Sequence, residues 1–450
     1  MSPRPRRLQD EAPETGTVAG LTHEGDGIVR CGKAVFVAGA LPGETIRFRR
    51  VRRHRQHDEG ELLEVLEASA HRVTPRCAHF GVCGGCALQH LAADEQLAMK
   101  QTALRDNLER VARVTPREWL APLTGSAWAY RRRARLGAKF VIKKDRVVVG
   151  FRERLAPYVA AVEQCEVLAA PVGALIAPLA AMLTQLSIRQ RMPQIEVAIG
   201  DNAVALVLRV LEPVSPADRT VLREFADRHG IRFYLQPGGL ESVRELNEEG
   251  GGGEPLYYRL GRYDLRLEFL PTDFVQVNGP VNEALIARAL ELLAPTGESR
   301  VLDLFCGLGN FTLPLARVAG AVTGIEGEPS LIDRARHNAR LNGLANTEFH
   351  VANLARPFDA ATAWAARPYS HVLLDPPRAG AREVLADVAR LQPRRVLYIS
   401  CHPGSLARDL GVLVHEHGFD LRAAGVVDMF PHTAHVESLA VLEPGGRQRS

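Results

Sequence analysis

A cysteine and a glutamate near the carboxyl end of the chain are the residues best suited to covalent chemistry. Cys401 stands in Ser400-Cys-His-Pro403, directly after the apolar run 395–400. Glu437 closes the segment Phe430-Pro-His-Thr-Ala-His-Val-Glu437. A thiolate adds to electron-poor carbon, and a positioned carboxylate removes a proton. Methylation at C5 of a uracil needs both. C5 is a poor nucleophile until a thiolate adds to C6 and turns the ring into an enolate. Once C5 has taken a methyl group, its proton must pass to a base so that elimination frees the thiol. Cys401 suits the nucleophile and Glu437 the base. Cys306 is the competing thiol, but it lies inside a Gly-containing loop and reads as packing.

That loop belongs to a second constellation. Val301-Leu-Asp-Leu-Phe-Cys-Gly-Leu-Gly-Asn-Phe311 is an apolar strand running into a turn and then a helix. Gly307 and Gly309 let the backbone turn tightly and approach a ligand. Glu326 ends the next apolar run, where a carboxylate can accept the ribose hydroxyls of a nucleoside cofactor. The third glycine of the dinucleotide fingerprint is missing. A later strand ends in Asp375-Pro-Pro-Arg378. Together these features predict a class I S-adenosylmethionine site rather than a dinucleotide site.

Four more cysteines stand apart: Cys77, Cys83 and Cys86 in one short stretch, and Cys165 downstream. Four thiolates are the ligand count of a [4Fe–4S] cluster and also of structural zinc, and the spacing favours neither. Arginine is clustered too, in residues 47–55 and again as Arg131, Arg132, Arg133 and Arg135 after Trp128 and Tyr130. Guanidinium forks bind phosphate and stack on bases, so both clusters are candidates for holding RNA.

The elements that must position these groups fall into three predicted segments. Residues 1–70 read as short strands (18–21, 27–30, 34–37, 45–53 and 61–66) broken by Gly and Pro, an OB-like β-barrel with its basic strand outside. Residues 71–270 hold the Cys-rich loop, a helix over 93–114, a helix over 171–186 and strands near 133–142, 146–151, 194–199, 203–210 and 233–236. The four-Gly run within 248–254 reads as a hairpin tip or insertion. Residues 271–450 alternate strands (301–304, 322–325, 348–351, 372–374 and 396–399) with helices. That is a doubly wound α/β sheet, whose ligands sit beyond the carboxyl ends of its strands.

The 450 residues exceed what one core serves, and 24% charged residues suit a folded chain. No apolar run reaches the roughly 20 residues of a membrane span. The amino terminus lacks the apolar core of a secretory signal. Seven cysteines in a chain this long do not make a disulfide scaffold. A cytoplasmic, monomeric protein is the expectation.

Asp375-Pro-Pro-Arg, Ser400-Cys-x-Pro and His432-Thr-x-His-x-Glu437 resemble the uracil-C5 RNA methyltransferase family along essentially the whole chain. The resemblance implies S-adenosylmethionine contacts at Gln276, Phe305, Asn310, Glu326, Asn353 and Asp375, with Cys401 as nucleophile and Glu437 as base. It also implies that the amino-terminal barrel is a TRAM barrel, and that Cys77, Cys83, Cys86 and Cys165 hold a [4Fe–4S] cluster. Family members with both features act on 23S ribosomal RNA, so that RNA or a large-subunit assembly intermediate is the expected partner. Transfer RNA is the alternative substrate. One departure is His402, where the family usually has Asn. Three rivals are weighed against this reading. A radical methylthiotransferase needs a Cys-x3-Cys-x2-Cys triad, which is absent. An amine methyltransferase needs no thiol and has an aromatic residue where Arg378 stands. A non-catalytic ribosome-assembly protein would transfer no label from the cofactor to RNA.

Overall fold

A computed structural model describes residues 6–7, 11–247, 253–359 and 362–446. Most of the Gly run within 248–254 therefore lies outside the described residues. At the amino end, period-two alternation of apolar and polar side chains produces five barrel strands. Glu14–Leu21 pairs on one side with Gly27–Cys31 and on the other with Thr45–Arg53. Gly27–Cys31 continues to Lys33–Val37, which pairs in parallel with His57–Glu67. His57–Glu67 then pairs with Thr45–Arg53 and closes the barrel. Val18, Val29, Val35, Val37, Ile46 and Phe48 fill its interior.

The basic strand differs from the expectation of free phosphate donors. Register sets its arginines opposite carboxylates of the neighbouring strand. Arg47 meets Glu64 at 2.7 Å, Arg49 meets Glu61 at 2.7 Å, and Arg52 meets Glu59 at 3.1 Å. Arg50 turns inward to Glu14 and Asp58, and Arg53 pairs with Glu11.

The middle of the chain builds a six-stranded sheet in the order Arg244–Glu245, Ile231–Gln236, Val204–Arg209, Gln194–Ile199, Arg133–Val141, Arg146–Gly150. Its one parallel pair, Val204–Arg209 with Ile231–Gln236, needs a crossover, and helix Pro216–His229 supplies it. The sequence reading missed that helix, although its signals are present. Ser215 Oγ accepts from Asp218 N at 3.1 Å, Pro216 opens the helix, and Gly230 closes it in the left-handed region. The predicted helix over 93–114 is α-helical only over Ala93–Asn107. It then loosens into a π-turn, Leu108–Ala112, ended by Arg113 at φ 55°.

The carboxyl-terminal sheet has eight strands, in the order Thr347–Val351, Ala321–Glu326, Arg300–Leu304, His371–Leu374, Arg395–Ser400, Glu437–Pro444, Phe419–Val427, Glu118–Trp119. The first five are parallel, as the alternating pattern predicted. The sequence reading did not see that Glu437–Pro444 runs antiparallel to both neighbours. Nor did it see that Glu118–Trp119, from the middle of the chain, completes the edge. Helix Ala93–Asn107 and its π-turn bury Leu104, Leu108 and Ala112 in the same core as Tyr398, Leu406 and Leu410. The middle of the chain is thus packed into the carboxyl-terminal core. No helix among the described residues is long and apolar enough to cross a membrane.

Candidate active site

Strand direction explains how Cys401 and Glu437 meet. Arg395–Ser400 delivers Cys401 at its carboxyl end. Because Glu437–Pro444 runs the other way, its first residue lies at that same edge, and Ser400 is registered opposite Ser438. Asp375 follows the neighbouring strand His371–Leu374. Three ionisable groups thus gather above one end of the sheet. Burial pushes the Glu437 carboxyl up to about 8, with Asp375's charge adding to the rise. Burial alone pushes Asp375 up to about 7. The Cys401 thiol is also raised, first by burial and then by Glu437 and Asp375, while Arg378 opposes them.

Cys401 and Arg378 open onto a cavity of about 1460 Å³ together with Thr433, His435 and Val436. The cavity continues along the barrel at residues 21–24, the loop 84–87 and the turn 154–157. His402 does the work of a helix cap. Its Nδ1 accepts from Ser405 N at 3.1 Å at the start of helix Pro403–His415. Asparagine is a favoured residue for that task, so the substitution keeps the cap. Burial and nearby Arg378 hold the imidazole below its usual pKa, which suits the neutral ring that an accepting nitrogen requires.

The cofactor loop is shaped by Phe305 at φ 66°, Gly307 at 54° and Gly309 at 99°. Glu326 is pinned by three backbone N–H groups, from Gly307 at 3.2 Å, Gly327 at 2.6 Å and Glu328 at 3.2 Å. Beneath the loop, Asp303 accepts from Thr312 Oγ1 at 2.5 Å, and its second oxygen has no hydrogen-bond partner. Burial pushes its carboxyl up to about 7. Asn353 is exposed, and its Oδ1 accepts from Ala355 N at 3.0 Å. Gln276 lines a separate cavity of about 270 Å³ with Tyr258 and Asn282. Asn310 exchanges two 2.9 Å bonds with Asn282 and accepts a third from Tyr258 Oη at 2.9 Å. Its amide is therefore already engaged inside the protein.

Cys77, Cys83, Cys86 and Cys165 do come together. They line one cavity of about 20 Å³ with Phe80 and Phe151. Burial raises Cys83 and Cys165 and pushes Cys86 up to about 12. Among the described residues no three His, Cys, Asp or Glu side chains converge as the ligand set of a metal ion. The second arginine cluster is mostly spoken for. Arg132 pairs with Asp201 at 2.6 Å, Arg135 with Glu196 at 2.9 Å, and Arg133 donates to Pro271 O. Arg131 faces the large cavity.

The sequence reading also missed the residues that hold the segment before Glu437. Lys100 and Gln96 lie on the buried face of helix Ala93–Asn107 with Leu104, spaced by four. A charged residue at the core phase of a helix was the available signal.

This fold defines a class I methyltransferase. The profile of a family described as tRNA (Uracil-5-)-methyltransferase matches residues 259–444. The 23S rRNA (uracil(1939)-C(5))-methyltransferase RlmD of Stenotrophomonas maltophilia is 49% identical over 444 residues, covering 98% of this chain and 99% of the relative. The protein of the same description from Xylella fastidiosa is 51% identical over 427 residues, covering 94% and 96%. In three dimensions, the Pyrococcus abyssi tRNA (uracil-54, C5)-methyltransferase in complex with S-adenosyl-L-homocysteine superposes with a TM-score of 0.75. It is 24% identical and covers 95% of this chain and 99% of that one, a likeness of fold. The chain belongs to the uracil-C5 RNA methyltransferase family.

Proposed function

We propose that this protein methylates C5 of a uridine in 23S ribosomal RNA, using S-adenosylmethionine and forming 5-methyluridine. The observation that carries the reading is the antiparallel return of Glu437–Pro444, which sets Glu437 beside the strand end bearing Cys401. Near-full-length relatives described as acting on 23S rRNA favour that RNA over transfer RNA. A cytoplasmic enzyme acting as a monomer, on free RNA or a large-subunit intermediate, fits this substrate.

The cofactor supplies an electrophilic sulfonium methyl group. Glu326, held by three N–H groups, is suited to ribose hydroxyls. Phe305, Asn310, Asn353, Gln276 and Asp375 would complete the cradle. Asn310 must then contribute through its backbone or exchange a partner, because its amide is engaged. The Cys401 thiol, raised when free, gives up its proton to solvent in the cavity it lines, and its sulfur then bonds to C6 of the uracil. The C5=C6 electrons move into the ring as an enolate, and C5 takes the methyl group. Glu437 then removes the C5 proton. The C5–H pair re-forms C5=C6, the C6–S bond breaks, and Cys401 leaves as thiolate.

We assign residues 271–450 to methyl transfer, 1–70 to an RNA-binding barrel of the TRAM type, and 71–270 to a domain carrying a [4Fe–4S] cluster. Four thiols around one small cavity support the cluster. Structural zinc has the same ligand count and is the alternative. Five of the barrel's arginines, Arg47, Arg49, Arg50, Arg52 and Arg53, are paired, so RNA contact through them requires phosphate to compete with carboxylates. Exposed Arg30 and Arg55 have no ion pair among the described residues and, with Arg131, are open to phosphate. The decisive experiment maps 5-methyluridine in 23S and transfer RNA from a strain lacking this gene. Loss of one 23S site, restored by the wild-type gene, is expected. Loss confined to transfer RNA would move the substrate, and no loss in either would overturn the activity.

A further inference from the structure

Residues 428–436 join the antiparallel strands Phe419–Val427 and Glu437–Pro444, whose end pair is Val427 with Glu437. This connection is too long for a tight hairpin turn, and its own hydrogen bonds, Thr433 N and Oγ1 to Phe430 O and His435 N to Thr433 Oγ1, shape only residues 430–435. It also holds His432 at φ 65°, a conformation that a β-carbon disfavours. Its far end, residues 433–436, lines the large cavity with Cys401 and leads straight into Glu437. Whatever fixes this segment fixes the approach of Glu437.

The restraints come from outside the carboxyl-terminal segment. Lys100 Nζ donates to Asp428 Oδ1 at 2.6 Å and to Phe430 O at 2.9 Å. Gln96 Oε1 accepts from His432 N at 3.0 Å. Tyr130 Oη donates to Pro431 O at 3.1 Å, and Trp128 stacks on the His432 ring at 4.0 Å. Ala87 N and Leu88 N, next to Cys86, donate to His432 O at 2.9 and 3.0 Å. Lys100 is fully buried, and its side chain has no exposed surface. Apolar residues in place of both Lys100 and Asp428 would often be as stabilising or more so. What the ammonium adds is direction, two bonds to two points of one loop.

We propose that Lys100 is a positioning residue for the proton-removal step, holding residues 428–436 so that Glu437 is aimed at C5 of the covalent adduct. This rests on the Cys401 and Glu437 roles proposed above. Misplacing a base by about an ångström can slow its step by about a hundredfold while leaving earlier steps intact. Lys100 should therefore matter after methyl transfer, not before it.

The test is single turnover of the full-length protein with methyl-labelled S-adenosylmethionine and a 23S RNA fragment, comparing wild type, Lys100→Met, Asp428→Asn and Glu437→Gln. Lys100→Met should keep cofactor affinity and the rate of methyl transfer within about twofold, slow release of methylated RNA by about tenfold to a hundredfold, and accumulate methylated protein–RNA adduct. Asp428→Asn keeps a neutral acceptor and should show the same adduct more weakly, which preserves the test if Lys100→Met does not fold. Activity falling only with the folded fraction, without adduct, would assign Lys100 to stability and overturn the proposal. Adduct in Glu437→Gln but in neither loop variant would refute this inference alone. Absence of adduct in Glu437→Gln as well would refute the underlying covalent reading.

Discussion

Two thiol sites in this molecule share one physical feature and differ in everything else. Burial raises the thiol pKa at Cys401 and at Cys83, Cys86 and Cys165 alike. At Cys401 the next influences are full side-chain charges, Glu437 and Asp375, opposed by a backbone hydrogen bond and Arg378, beside a cavity of about 1460 Å³. In the four-cysteine group they include backbone N–H groups and the other cysteines, around about 20 Å³. A thiol that opens onto a large cavity can lose its proton to solvent when substrate arrives. Buried thiols facing one another can ionise only if a cation takes up their charge, and loading then releases protons. On the roles proposed above, the neighbourhood, not the burial, separates the nucleophile from the ligand set.

Removing the nucleophile tests the contrast most severely. Cys401→Ala should lower methylation by at least about four orders of magnitude, the scale of losing a covalent nucleophile, while equilibrium dialysis still finds cofactor bound. Glu437→Gln should also stop turnover, yet leave a covalent protein–RNA band on a denaturing gel. Full activity of Cys401→Ala would dissolve the distinction between the two sites.

A pH profile comes next in size. Glu437 must be ionised to act as base, and its carboxyl is pushed up to about 8 by burial. Below about pH 8, release of methylated RNA from the adduct should slow about tenfold per unit. The same shift fixes the sign of a stability effect. A folded-state pKa above the unfolded one favours the folded state while the group is protonated. That contribution is complete below the usual carboxylate pKa and is lost as pH rises through about 8. Asp375 and Asp303, each pushed up to about 7, act in the same direction. The urea midpoint should therefore drop between about pH 4.5 and about pH 8 and level off above it, and Glu437→Gln should flatten that drop.

The ligand set should respond differently from the nucleophile. Anaerobically purified protein should be brown, with about four irons per chain. Cys83→Ser or Cys165→Ser should lose that iron and lower the melting temperature by several degrees, about 1–2 kcal/mol in a chain of this size. Methylation should fall only as far as the folded fraction does. Zinc without iron, in protein made under iron-replete conditions, would exchange the cluster for a single ion.

Legibility in the sequence tracked the range of the interaction. The parallel strands, Cys401 at a strand end and the Gly307–Gly309 loop all follow from local period and turn chemistry. The meeting of Cys401 with Glu437 depends on a reversed strand, and the motif spacing says nothing of direction. The arginines at 47–53 look free in sequence because their carboxylate partners are on another strand, where only register brings them opposite. Lys100 and Asp428 are far apart in the chain, so neither announces the other. Asn310 looked available for a cofactor because Tyr258 and Asn282 come from distant elements.

Cys306 gives the smallest and most discriminating effect. It is the third kind of thiol here, 5% exposed beneath the cofactor loop. Its pKa is raised by burial first, and then by Asp303 and Glu326. It thus has acidic neighbours like Cys401, but it does not line the large cavity. If charged company alone made a nucleophile, Cys306 would qualify. If access to substrate is also required, it is packing. Cys306→Ala should leave kcat within about twofold and cost about 1 kcal/mol, the scale of deleting one small buried group, read as a lower urea midpoint. Iodoacetamide should label Cys401 at alkaline pH and spare Cys306 in the native protein, because alkylation needs an accessible thiolate. A loss of turnover in Cys306→Ala comparable to that of Cys401→Ala would mean that the rule of access drawn from the first two sites is wrong.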